Sequence, residues 1–133
     1  MIVTKEFRTR FKRLTLGVSK LERVRRRPDV VPVAQRPGPN LLAQPELWLD
    51  DSTLHFDEAS GALAFVHIYD LGFRDINGIE IGGPWSQVSQ LAGKRVRATF
   101  YVDERKGVIY WDDSGRGTVT KIVYVSQLRI RTS

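Results

Sequence analysis

Basic and aromatic residues interleave in the second half of the sequence, a pattern typical of surfaces that hold single-stranded nucleic acid. Arg95, Arg97 and Tyr101 fall on alternate positions of one predicted strand, so their side chains are expected to face water. Tyr110 or Trp111, depending on register, is predicted to lie across from them on the next strand. Guanidinium groups neutralise phosphates and aromatic rings stack on bases, so these five residues are candidates for a nucleic-acid interface. The alternative is that Tyr110 and Trp111 are core residues and that both arginines are merely solvated.

A second cationic group lies at the start of the chain. Residues 1–27 contain ten lysines and arginines but two acids, whereas residues 28–133 contain eleven and thirteen, and the whole chain carries a net charge of +6. This asymmetry favours an anionic partner, and nucleic acid is the first candidate. The alternative is a solubilising segment, or a basic face that packs on the rest of the protein. The candidate phosphate-binding residues here are Arg8, Lys12, Arg13, Arg23, Arg25, Arg26 and Arg27.

Catalytic and metal-binding patterns find little support. His55 and His67 each lie within three residues of an aspartate, and on a strand His55 and Asp57 would share a face, as a general base and its orienting carboxylate do. No nucleophile motif accompanies them, and the absence of cysteine excludes thiolate metal sites. We therefore expect a protein without enzymatic activity, cofactor or metal. A hydrolase or nuclease would require scattered acids to converge, with these candidates: Asp50, Asp51, Asp57, Asp70 and Asp75.

The N-terminal segment also has an apolar periodicity. Five apolar residues recur at helical spacing: Phe7, Phe11, Leu14, Val18 and Leu21. This spacing predicts an amphipathic helix, although the alternation of Phe7, Thr9 and Phe11 with basic residues also fits a strand. An exposed apolar face of this kind gives an alternative function, a protein-interaction module that docks on a partner or on a second copy of the chain.

Five of the six prolines lie between residues 28 and 45, and proline restricts both itself and the residue before it. The sequence therefore predicts a basic N-terminal arm (residues 1–27), an extended linker (28–45) and a β-rich domain (46–133). A loop that wraps the surface of the domain is the alternative for the proline-rich stretch.

The elements of residues 46–133 are predicted from alternation and turn residues. A hairpin is expected around the turn 57–61, a tight turn at Asn77-Gly78, and a short helix from Pro84 to Gly93. Residues 94–103 form the clearest strand pattern, with four residues predicted to face the core: Val96, Ala98, Phe100 and Val102. Residues 108–111 predict another strand, and residues 118–130 predict one long strand or two short ones.

This order of strands and one short helix, over about residues 53–130, resembles a small OB-type barrel. The fold class expected is therefore mainly β, a small antiparallel OB-like barrel or curved sheet with one short helix, preceded by a basic helical arm. The function expected is that of a non-enzymatic nucleic-acid-binding accessory protein. No signal peptide and no apolar run approaching the length of a transmembrane helix is visible, so a cytoplasmic location is expected.

Overall fold

The computed structural model describes residues 1–32 and 46–132 of the chain. Its elements are, in order, β1 (Ile2–Glu6), β2 (Arg10–Phe11), β3 (Leu14–Thr15), α1 (Leu21–Val24), β4 (Val30–Pro32), β5 (Glu46–Leu49), β6 (Ser52–Phe56), β7 (Leu63–Ile68), α2 (Ser86–Ala92), β8 (Phe100–Asp103), β9 (Val108–Trp111), β10 (Lys121–Val125) and β11 (Gln127–Arg131). The fold is mainly β. None of the helices in the described ranges has the length and apolar character needed to cross a membrane.

One large antiparallel sheet organises the molecule. Its seven strands have the order β4-β5-β6-β7-β10-β9-β8. β1 pairs separately with β11, and β2 pairs with β3 in a small hairpin. β4 and β8 stand at opposite edges of the large sheet, so within the described residues no barrel closes, and the predicted OB-like barrel is corrected to an open sheet.

The core lies on one face of this sheet, called the inner face below. Side chains alternate between faces along a strand, and the paired positions Leu54, Val66, Tyr124 and Val108 are all fully or almost fully buried there. The inner face is covered by the N-terminal segment and by the connection between β7 and β8. These covering segments contribute the following buried residues: Phe11, Leu14, Leu16, Val24, Ile79, Ile81, Trp85 and Val88.

The predicted N-terminal helix is wrong. Residues 7–21 contain the β2–β3 hairpin instead, in which Phe11 lies opposite Leu14. Lys12 and Arg13 form the two-residue turn with φ angles of 47° and 67°, as a type I′ turn requires. The Lys12 ammonium group bonds to the carboxylates of Asp50 and Asp70, which hold this unusual turn in place. The spacing of apolar residues that is typical of one helical face is therefore also found in this hairpin, where Phe11 and Leu14 meet across the turn.

The arm and the domain share one core. Phe11 packs edge-on against Phe73 and Tyr124, with ring centroids 5.5 and 6.3 Å apart. Within the predicted linker, Val30–Pro32 form β4, which pairs with β5, while residues 33–45 lie outside the described residues. The division at residues 27 and 45 stays a prediction about independent folding units.

Several local predictions are confirmed. β6 and β7 form the hairpin expected around residues 57–61, and residues 118–130 give two strands. α2 ends at Gly93, whose φ of 69° is the left-handed conformation typical of a helix terminus. Val88 within α2 and Trp85 at its N-terminus are buried, whereas Leu91 is exposed.

The predicted strand 94–103 is corrected in both length and facing. Only Phe100–Asp103 is a strand, and its exposed residue is Phe100 while Asp103 is buried. Asp103 is buried because its carboxylate accepts a hydrogen bond of 2.8 Å from the Asn77 side chain. A shift of one residue in the alternation exchanges the two faces, which moves Tyr101 to the inner face.

Candidate functional site

The face of the sheet that turns away from the core, called the outer face, is rich in aromatic side chains. It carries the residues that alternate with core residues: Val31, Trp48, Thr53, His55, Phe65, His67, Tyr69, Phe100, Val102, Ile109, Trp111, Lys121 and Val123. Phe100 is 47 % exposed, Tyr69 41 % and Trp48 39 %. Large exposed apolar patches on a soluble protein mark interaction sites, so the outer face is the first candidate for a binding surface.

The aromatic corner, defined as Tyr69, Phe100, Trp111 and Lys121, occupies one end of this face. The rings of Phe100 and Trp111 lie 5.2 Å apart at an angle of 32°. The Lys121 ammonium group lies 4.8 Å from the centre of the Trp111 ring and 5.9 Å from that of Tyr69. A cation thus lies between two rings that remain partly open to solvent, which places charge and stacking surface side by side.

β8, β9 and β10 carry three of these side chains, and the end of β7 positions Tyr69. Lys121 pairs with Trp111 across β10 and β9, and Trp111 pairs with Phe100 across β9 and β8. Tyr69 follows Ile68, which pairs with Ile122, so it continues the same row. The corner is therefore built on the backbone ladder of the sheet, which fixes its geometry more firmly than a loop would.

A cavity of about 500 Å³, called the arginine cavity, begins one residue beyond the aromatic corner. Its walls are α2, the segment 95–99 and the turn 112–117. Thr99, next to Phe100, accepts a hydrogen bond of 2.8 Å from the N–H of Asp112, next to Trp111, and this bond joins the cavity to the corner. Arg95 and Arg97 line the cavity and form no ion pair within the described part of the chain.

Two hydrogen bonds to Val96 hold the wall that carries these arginines. The Val96 N–H donates to Ser89 Oγ at 3.0 Å, and its carbonyl oxygen accepts from the Trp85 indole N–H at 3.1 Å. Val96 also packs against the core. The backbone on both sides of it is therefore fixed, although Arg95 and Arg97 are not on the strand that the sequence predicted.

Asp112 is an acidic group in the cavity wall. One of its oxygens accepts from the N–H groups of Ser114 and Gly115 and from the Ser114 hydroxyl, and the other accepts from the N–H of Gly117. Hydrogen bonding from Ser114, followed by the backbone N–H groups of the turn, lowers the pKa of Asp112. The carboxylate is thus ionised, and both of its oxygens are hydrogen-bonded within its own turn. The exposed Arg116 lies in the same turn.

Tyr101, predicted to face water, and Tyr110, one of the two positions that the register left open, both belong to the inner face. Tyr110 is fully buried, donates a hydrogen bond to the Asp75 carboxylate and accepts one of 2.7 Å from the Asn77 amide. Burial, reinforced by the hydrogen bond to Asp75, raises the pKa of Tyr110. Of the two positions that the register left open, Trp111 is the one on the outer face.

The N-terminal basic residues do not form one group at the aromatic corner. Lys20 pairs with Ala62 at the β6–β7 turn, about 20 Å along β7 from Tyr69. Lys12 instead bonds to Asp70, the residue after Tyr69, and Arg27 donates to the Lys12 carbonyl. Four of the seven candidates form ion pairs: Arg8 with Glu6, Lys12 with Asp50 and Asp70, Arg25 with Glu22, and Arg27 with Asp29. Within the described residues, three carry no ion pair: Arg13, Arg23 and Arg26.

Most of the N-terminal apolar residues pack inside the protein and are not available to a partner. Phe11 and Leu14 are buried in the core, Leu21 packs against it, and the Phe7 ring lies on Gly107. Val18 alone of the five predicted docking residues is strongly exposed. A helical docking face over residues 7–21 is therefore not formed.

The histidines form a ring cluster on the outer face. The His55 ring stacks on Phe65 at 4.5 Å and lies 4.7 Å from His67. Burial lowers the pKa of His55 to about 4, so this side chain is neutral at neutral pH. Asp57 instead accepts hydrogen bonds from the N–H and hydroxyl of Ser60 in the β6–β7 turn. Across residues 1–32 and 46–132, no group of three or more histidines and acids is placed to hold a metal ion.

The sequence reasoning missed Trp48, Phe65, Tyr69, Phe100 and Lys121. The alternation of Phe65, His67 and Tyr69 with Val66 and Ile68 contained a signal, because it places aromatic groups on one face of a strand and aliphatic groups on the other. Which face is covered depends on segments far away in the chain, and the alternation itself does not contain that information.

The chain matches no protein-family model, no curated protein and no solved structure.

Proposed function

We propose that the protein binds single-stranded nucleic acid on the outer face of its sheet. Bases stack on the rings of the aromatic corner, and the basic residues around it contact the phosphates. The observation that carries the proposal is the position of the Lys121 ammonium group close to the rings of both Trp111 and Tyr69, at a corner of the outer face where Tyr69 and Phe100 are exposed. Stacking on partly exposed rings beside cations is the usual way in which unpaired strands are held.

The charge around the corner supports an anionic ligand over an apolar one. Lys121, Arg95, Arg97 and Arg116 lie at or next to it, and the neighbouring acids are Asp112 and Asp113. Asp112 is held by its own turn. A duplex is disfavoured because its bases are already stacked on one another, whereas the rings of the corner need unpaired bases.

This proposal keeps Arg95, Arg97 and Trp111 as binding residues and transfers the main role from the N-terminal arm to the sheet. The arm is not the primary interface because four of its seven candidate basic residues are engaged in ion pairs, among them Lys12 with Asp70, the residue after Tyr69. Deleting residues 1–27 would not be a clean test, since it removes Phe11, Leu14 and Val24 from the core.

The test is a titration of labelled single-stranded and double-stranded oligonucleotides of equal length, at about 50 mM and about 200 mM salt. Three phosphate contacts would weaken single-strand binding about 20-fold between these conditions. Trp111→Leu keeps an apolar side chain but removes the ring, and it should weaken binding about 5- to 100-fold, the range of one lost stacking contact.

Lys121→Gln is the charge variant, and Lys106→Gln, at the opposite end of the β8–β9 hairpin, is its matched control. We expect Lys121→Gln to weaken binding and to flatten the salt dependence, and Lys106→Gln to change affinity less than about twofold. Absence of single-strand binding at low salt, or affinity unaffected by Trp111→Leu, would overturn the proposal. The outer face would then be a protein-docking surface, and light scattering would test for a second copy.

A further inference from the structure

The arginine cavity combines features that suit a phosphate group with more charge than an internal diester. Arg95 and Arg97 both line it, on either side of the tethered Val96. The hydroxyl of Thr99 is in the same lining. Guanidinium groups bind phosphate oxygens through paired N–H donors, and hydroxyls supply further donors.

α2 and the turn 112–117 also line the cavity, so a strand that runs from the corner into it contacts residues of both. Its volume of about 500 Å³ is in the range that holds a small ligand and is ample for one phosphate. A cavity with this lining, next to the rings of the aromatic corner, suits the terminal nucleotide of a nucleic-acid strand.

We propose that the arginine cavity binds a terminal phosphomonoester of the single strand whose bases stack on the aromatic corner. This inference rests on the proposed function. A terminal monoester carries a charge near −2 at neutral pH, whereas an internal diester carries −1, so two arginines match the monoester. The Asp112 carboxylate does not occupy the guanidinium groups, because its oxygens accept from donors of its own turn.

The test compares oligonucleotides of one sequence, labelled internally, that carry a 5′-phosphate, a 3′-phosphate or hydroxyls at both ends. We expect the phosphate at one end to tighten binding about tenfold or more, the range of charge-assisted hydrogen bonds. The end that gives the gain defines the direction in which the strand lies. The double variant Arg95→Gln with Arg97→Gln should weaken the binding of every strand, because both arginines belong to the proposed interface, and it should also abolish the gain, so that phosphate-ended and hydroxyl-ended strands bind it equally.

Arg105→Gln is the matched control, because Arg105 is exposed on the β8–β9 turn, away from the cavity. It should preserve the gain. Equal affinity for all three strands would overturn this inference while leaving base stacking on the corner intact. A gain that survives the double variant would also overturn it. Absence of binding by every strand would overturn both proposals.

Discussion

Replacing Tyr110 with phenylalanine tests the polar network that joins the sheet to the segment 75–79. The Tyr110 hydroxyl makes two buried hydrogen bonds, donating to the Asp75 carboxylate and accepting from the Asn77 amide. In this variant the other Asp75 oxygen still accepts hydrogen bonds from the N–H groups of Asn77 and Ile79. The Asn77 side-chain amide still donates to the Asp103 carboxylate. The variant therefore leaves one carboxylate oxygen and one amide hydrogen buried without these partners.

The expected cost follows from these two contacts. A hydrogen bond to a charged group contributes about 1.5 to 3 kcal/mol, and a neutral one about 1 kcal/mol. Tyr110→Phe should therefore lower the free energy of unfolding by about 3 kcal/mol. For 133 residues the unfolding entropy is about 280 cal/mol/K, so Tm should fall by about 10 °C.

The assay is thermal and urea unfolding followed by circular dichroism. Tyr101→Phe is the matched control, because Tyr101 lies directly across from Tyr110, packs against the same core, and its hydroxyl forms no hydrogen bond within the described residues. We expect the control to lose less than about 0.5 kcal/mol. Equal losses for the two variants would refute the reasoning, since the hydroxyl network would then contribute nothing.

Two further predictions concern stability. Burial lowers the pKa of His55 from its ordinary 6.5 to about 4. Between these two pH values the unfolded chain binds the proton more readily than the folded protein does. The free energy of unfolding therefore falls as the pH drops from about 6.5 toward 4. Urea unfolding at about pH 7.5 and about pH 4.5 should show a loss near 2.5 kcal/mol that is absent in His55→Gln, and equal losses in both proteins would contradict this. Gly107→Ala should destabilise the fold by about 1 to 3 kcal/mol more than Gly115→Ala, because both glycines have positive φ but only at Gly107 would the new methyl group lie 2.5 Å from the Phe7 ring. Similar losses in the two alanine variants would show that the Phe7 ring moves aside at no cost.

Local turn chemistry was predictable from the sequence. The β6–β7 hairpin and the end of α2 at Gly93 depend on residues adjacent in the chain, and both are present. The type I′ turn at Lys12 and Arg13 was not predictable, because its turn residues are not glycine and the acids that hold it, Asp50 and Asp70, are far along the chain.

The candidate site was predictable only in part for a related reason. Arg95, Arg97 and Trp111 were identified from residue type, but their strand and facing were not. The alternation of β8 is reset by the hydrogen bond between Asn77 and Asp103, which are 26 residues apart. Tyr69 was overlooked because a strand that is apolar on both faces is typical of burial on both, and only the packed structure shows which face is open.

The pairing of β1 with β11 has a consequence for how the molecule is made. Ile2 lies opposite Arg131, so β1 has no partner until β11 has been synthesised. Phe11 likewise cannot pack against Tyr124, its neighbour in the core, until Tyr124 has been synthesised. Closing such long loops is slow, and incomplete chains expose apolar and basic groups together. Only after β10 and β11 have been synthesised can the N-terminal segment bury its apolar residues Phe11 and Leu14 in the core.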